Sequence, residues 1–94
     1  MIVLQVEHRV PNFDGWKKAF ESDPIDRKKS GVKSYRIYRP ADDKNYVIID
    51  LIFDSISEAE STLVALRKLW GKVEGIIMVN PQTRILEIVE FKEY

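Results

Sequence analysis

Two ionisable side chains sit where the chain is otherwise strongly apolar. Asp50 interrupts the stretch YVIIDLIF (46–53), and His8, the sole histidine, closes the run MIVLQVEH. A carboxylate in such surroundings can act as a general base or accept a hydrogen bond from a ligand. Desolvation raises its pKa, whereas a neighbouring arginine lowers it. Any histidine-dependent proton transfer must pass through His8. Asp50 and His8 are therefore the candidate catalytic pair. Trp16 and Trp70 are candidate ligand walls, since indole faces suit planar molecules, although both also fall on helical stripes that suit core packing. Tyr46 and Arg36 complete the candidate ligand-binding set.

Each of these residues has a structural alternative. Asp50 can pair with Arg36 inside an apolar surface and specify strand register. If Tyr38 faces Tyr46 across a hairpin, Arg36 lies opposite Ile48, one diagonal step from Asp50 and within reach of it. His8 can donate to a backbone carbonyl or to Asp14, or it can face Trp16 or Trp70 in a pocket. The Tyr46 and Tyr38 hydroxyls can hydrogen-bond across an interface or orient a substrate. Glu7 shares the face of Asp50, and two adjacent carboxylates push one pKa upward. Two acids without further ligands make a poor metal site, so no metal is expected.

The elements that must position these residues follow from periodicity. Residues 2–10 alternate, with Ile2, Leu4, Val6 and His8 on one side and Gln5, Glu7 and Arg9 on the other, as in a strand with one buried face. Asn12 is a helix cap, and Phe13, Trp16 and Phe20 recur at helical spacing. Ser22 or Asp23 before Pro24, with Gly31 to follow, predicts a second short helical segment. The strands VKSYRIYR (32–39) and NYVIIDLIFD (45–54) flank PADDK, a hairpin pattern. Ser57 and Glu60 form a capping-box pattern. Ala59, Leu63, Leu66, Trp70 and Val73 then mark a helix of about four turns that Gly75 ends. NPQ (80–82) reads as a turn and TRILEIVEF (83–91) as the last strand.

The order β-α-β-β-α-β is the ferredoxin-like α+β pattern: a four-stranded antiparallel sheet with both helices on one face and strands one and three in the middle. Residues 1–94 are expected to form one such domain. Two helices cover one sheet face only. Val47, Ile49, Leu51 and Phe53 suit that covered face, yet Tyr46, Ile48 and Ile52, on the other side with Asp50, are also large and apolar or aromatic. A second copy covering this face, as a homodimer, is the expectation.

Composition narrows the function. Ninety-four residues with 45% hydrophobic and 32% charged content describe an ordinary globular domain with a thin core. Fifteen basic residues balance fifteen acidic ones, and the only basic cluster, DRKKSGVK (26–33), reads as a solvated helix end, so no nucleic-acid partner is expected. The absence of cysteine excludes disulfides, thiolate zinc and iron–sulfur sites. No apolar run approaches the roughly 18 residues that span a bilayer, and no cleavable leader pattern opens the chain, so a soluble cytoplasmic protein is expected.

The element order, the length and the apolar second sheet face resemble the dimeric α/β-barrel proteins, including the antibiotic-biosynthesis-monooxygenase-like domains and the small polyketide-cyclase-like barrels. VEHRVPNFDGWKKAF (6–20) is similar to small bacterial members of that group. The resemblance covers the whole chain and implies a homodimer that binds a small organic molecule between sheet and helices or inside the barrel. Three function classes are compatible with it. The first is a cofactor-independent monooxygenase- or cyclase-like enzyme acting on an aromatic or polyketide-like molecule. The others are a non-catalytic ligand-binding or regulatory module and a structural dimerisation domain.

Overall fold

The structure, a computed structural model, describes every residue except Glu74, Ile76 and Ile77. Six elements follow in the order β1 (Ile2–Arg9), α1 (Phe13–Glu21), β2 (Ser34–Tyr38), β3 (Tyr46–Phe53), α2 (Ile56–Val73) and β4 (Val79–Glu87). The strands form one antiparallel sheet in the order β2-β3-β1-β4, so β1 and β3 are central as expected. Burial alternates along β3 and along most of β1, as the two-residue period of a strand requires. Leu4, Val6, Val47, Leu51 and Phe53 form the core beneath the helices with Trp16, Ala59 and Trp70.

Local sequence accounts for most element ends. Asn12 Oδ1 accepts the Gly15 backbone N–H at 2.8 Å and caps α1. The cap of α2 is Ser55 rather than Ser57. Ser55 Oγ accepts the Glu58 backbone N–H at 3.3 Å and donates to Glu58 Oε1 at 3.1 Å. The capping pair is thus displaced by two residues, because β3 stops at Phe53 and the chain turns into the helix at once. α2 ends at Val73, and Gly75 takes a φ of 86° two residues later.

Further expectations are corrected. Residues 22–31 form no second helix; they run as successive turns, because Asp23 and Asp26 adopt left-handed φ values of 53° and 51° that no helix accommodates. NPQ is not a turn: Asn80 to Gln82 lie within β4, where Asn80 has a φ of 52° and the register with β1 shifts between Glu7 and Arg9. β4 is an edge strand and so tolerates Pro81, and it ends at Glu87 rather than residue 91.

The hairpin register is corrected as well. Tyr38 pairs with Ile48, and Arg36 stands directly opposite Asp50. Tyr46 extends past β2 and pairs with Arg9 of β1. The loop after Tyr38 is pulled towards β1 by the Val10 N–H bond to Asn45 O at 2.8 Å and by the Arg9–Asp43 ion pair at 2.9 Å. β3 therefore begins beside β1 before it reaches β2. No helix among the described residues is long and apolar enough to cross a membrane.

Candidate functional site

The sheet separates the two candidate catalytic residues. His8 pairs with Val47 on the face under the helices, whereas Asp50 pairs with Gln5 on the opposite face. They cannot meet on one substrate in a single chain. Trp16 and Trp70 belong to the helix side with His8, while Tyr46 and Arg36 belong to the open face with Asp50.

On the helix side, His8 is 2% exposed. Its Nδ1 lies 3.0 Å from the Arg9 carbonyl oxygen, which places the proton on Nδ1 and leaves Nε2 as the acceptor. Burial lowers its pKa below 6.5, and the bond to Arg9 opposes this only in part. The ring meets Trp16 edge-on at a centroid distance of 5.9 Å. Trp16 in turn packs on Phe20 at 5.3 Å, and Phe20 on Tyr35 at 5.0 Å.

A cavity of about 240 Å³ opens beyond this aromatic row, between α1, the 22–27 segment, α2 and Leu51 of β3. Trp16 and Trp70, brought together by α1 and α2, both line it, with Phe20, Leu66 and Val73 adding apolar wall. His8 stands one side chain behind it, in contact with Trp16. Among the described residues the one charged lining residue is Arg27. Its guanidinium lies 4.0 Å from the Phe20 ring centroid and 5.1 Å from that of Tyr35, and its Nη1 donates to Phe20 O at 2.8 Å.

Sequence reading assigned Arg27 to a solvated basic cluster and missed it as a site residue. Its signal was slight: one arginine among lysines, seven residues beyond an aromatic stripe. The left-handed turns at Asp23 and Asp26 fold it back onto Phe20.

The open face carries a polar row that crosses all four strands: Arg36, Asp50, Gln5 and Arg84 stand side by side. Arg36 forms no ion pair with Asp50; instead Gln5 Nε2 donates to Asp50 Oδ1 at 2.9 Å. Gln5 lies on a central strand with its side chain half-buried, whereas Arg36 is on an edge strand and exposed to water, which competes for its charge. Glu7 has partners of its own. It accepts from Tyr46 Oη at 3.0 Å and pairs with Arg84 at 3.5 Å. Burial, followed by the bond to Glu7 and its negative charge, raises the Tyr46 pKa. Among the described residues no cluster of three or more histidine or acidic side chains could hold a metal ion.

The fold has solved counterparts. The chain has the ferredoxin-like α+β fold of the antibiotic-biosynthesis-monooxygenase-like proteins. It superposes on a mutant of SnoaB, a cofactor-independent oxygenase from Streptomyces nogalater, with a TM-score of 0.78 at 8% identity, covering 96% of this chain and 94% of that one. A protein assigned as an antibiotic biosynthesis monooxygenase from Nitrosomonas europaea gives 0.72 at 17% identity, over 96% and 100% of the two chains. A mutant of MhuD with two manganese protoporphyrin IX molecules bound per active site gives 0.69 at 17% identity over the full length of both. No family model and no curated protein sequence matches the chain.

Proposed function

We propose that this protein binds a compact aromatic or polyketide-like molecule in the cavity between its helices and sheet and oxidises it with molecular oxygen, without a cofactor. The observation that carries this reading is the apolar cavity walled by Trp16 and Trp70. Its volume exceeds the roughly 150 Å³ that holds a benzene ring and falls below the roughly 300–1,000 Å³ of sites for drug-sized ligands. A bicyclic aromatic is the matching size. An electron-rich phenol can supply the electrons itself: dioxygen takes up four, one oxygen atom replaces a hydrogen on a ring carbon, and the other leaves as water with that hydrogen and the phenolic one, so that the product is a quinone. The likeness to SnoaB supports this choice of chemistry. In this reading His8 acts on the substrate through Trp16, by fixing the indole that forms the wall.

A non-catalytic binding module is the second reading. It is favoured by the separation of His8 and Asp50 on opposite faces of the sheet. One experiment separates the two. The chain has two tryptophans, and both line the cavity. A ¹H–¹⁵N spectrum therefore offers two indole cross-peaks as reporters. Titration with 1-naphthol in aerated buffer should shift both, and an oxygen electrode should record uptake that stops when 1-naphthol is exhausted. Shifts without uptake support the binding module. Unmoved cross-peaks sink both readings.

The working unit in this proposal is a cytoplasmic homodimer joined through the open sheet face. Ile48 and Ile52 on that face, with Tyr38 and Leu86 at 40% and 38% exposure, supply apolar surface around the polar row. Ile88 and Phe91, which follow β4, are exposed as well. Light scattering at micromolar concentration should give twice the chain mass, and Ile48→Lys should halve it with helicity retained.

A further inference from the structure

We propose that the occupant of the cavity is an aromatic carboxylate, with its ring between Trp16 and Trp70 and its charge against Arg27. This deepens, and rests on, the reading of the cavity as a ligand site. Two concavities adjoin at Arg27. One is the apolar cavity of about 240 Å³; the other is an open cleft of about 620 Å³ whose charged lining is Asp23, Arg27, Lys28 and Lys33. Among the described residues three cations there face one anion. Asp23 is engaged by Arg27, accepting its backbone N–H at 2.9 Å and lying 3.5 Å from Nη1. Lys33 lies 3.4 Å from Asp54, while Lys28 forms no ion pair among the described residues.

Arg27 is built for recognition rather than solubility. Its side chain is only 15% exposed, its plane rests on Phe20, and Nη1 is held by the Phe20 carbonyl. Among the described residues Nε and Nη2 have no protein acceptor. A planar, partly desolvated guanidinium with one free edge matches the two oxygens of a carboxylate, and its fixed orientation reduces the entropy lost on binding. An apolar ring in the tryptophan-walled cavity would bring a carboxylate substituent to that edge. The cleft beyond, with Lys28, adds positive potential at the mouth.

The test compares 2-naphthoate with 2-naphthamide, which keeps the ring and removes the charge, by titrating the two indole cross-peaks. Naphthoate should bind about tenfold more tightly, as a charge-assisted hydrogen bond is stronger than a neutral one. Added salt should narrow that gap. Arg27→Met should reduce the preference to about twofold or less, because only the more distant lysine charges persist. Lys28→Met, a change at an exposed side chain, should weaken naphthoate alone. Equal affinity of the two probes for the unaltered protein overturns the inference and leaves the cavity reading intact. Failure of both probes to shift either cross-peak removes both. A folded Arg27→Met protein that keeps the full preference also overturns it. Should that variant not fold, a preference indifferent to both salt and Lys28→Met does so instead.

Discussion

Gln5 Nε2 donates to Asp50 Oδ1 at 2.9 Å across the β1–β3 pair, while Arg36, opposite the same carboxylate on β2, makes no ion pair with it. A neutral amide on a central strand thus satisfies the acid that interrupts the most apolar strand. Gln5→Ala should cost about 1.5 kcal/mol, the lower end for a hydrogen bond to a charged group, and Arg36→Ala should stay within about 0.5 kcal/mol as a surface change. Urea denaturation of both variants measures the contrast. A larger loss for Arg36→Ala would reverse the assignment.

His8 imposes a direction on the pH dependence of stability. Its folded-state pKa is depressed below 6.5 by burial. The unfolded chain therefore takes up a proton first as pH falls. The His8 contribution is whole above the unfolded value and is lost as pH drops through 6.5 towards the folded value, with a slope of at most about 1.4 kcal/mol per pH unit. Glu21 and Asp43 do not confuse this window. Hydrogen bonds from Lys17 and from the Asn45 backbone N–H hold their pKa values below the usual carboxylate range. Urea midpoints measured from about pH 7.5 to 5 should fall for the unaltered protein. They should flatten for His8→Phe.

Ala19 lines the cavity on the α1 side and leaves space that a larger side chain can occupy. Ala19→Leu should fill part of it, leaving stability unchanged or raised by about 1 kcal/mol, and should weaken 1-naphthol binding at least about tenfold by removing the apolar contact area the ring would use. Thermal denaturation and the indole titration read the two effects separately. Undiminished affinity with raised stability would place the ligand elsewhere.

Gly31 has a φ of 101°, and a Cβ there would run into the Glu58 carboxylate that completes the Ser55 cap. Gly31→Ala should therefore cost about 1–3 kcal/mol, combining left-handed strain with a displaced capping partner. Ser55→Ala, which removes the cap alone, should cost about 1 kcal/mol. Because Gly31 and Ser55 act on the same glutamate, the double variant should lose less than the sum of the two in chemical denaturation.

Much of this molecule is legible in its residues taken in order. The two-residue alternation of β1 and β3, the helical spacing of Phe13, Trp16 and Phe20, and the Asn12 cap are all local signals. Their order leads to the sheet arrangement, since right-handed crossovers place β1 and β3 in the centre. Parity alone already assigned Asp50 and His8 to opposite faces. The position of β4 was less accessible: Asn-Pro-Gln has turn composition, yet on an edge strand it becomes a register shift.

What the tertiary structure alone decided is which polar groups meet. The β2–β3 register depends on Val10 and Arg9 of β1 drawing in the loop at Asn45 and Asp43, contacts between residues more than thirty positions apart. The choice of Gln5 over Arg36 as the Asp50 partner follows from exposure, which is a property of the assembled sheet. Arg27 joined the site because two aspartates in left-handed conformations turned a segment with helical composition back onto Phe20. Local propensity sets the elements because it acts over a few residues. Register, burial and the walls of the cavity are set by contacts between distant residues, and the cost of one alternative against another exists only once the chain has closed around them.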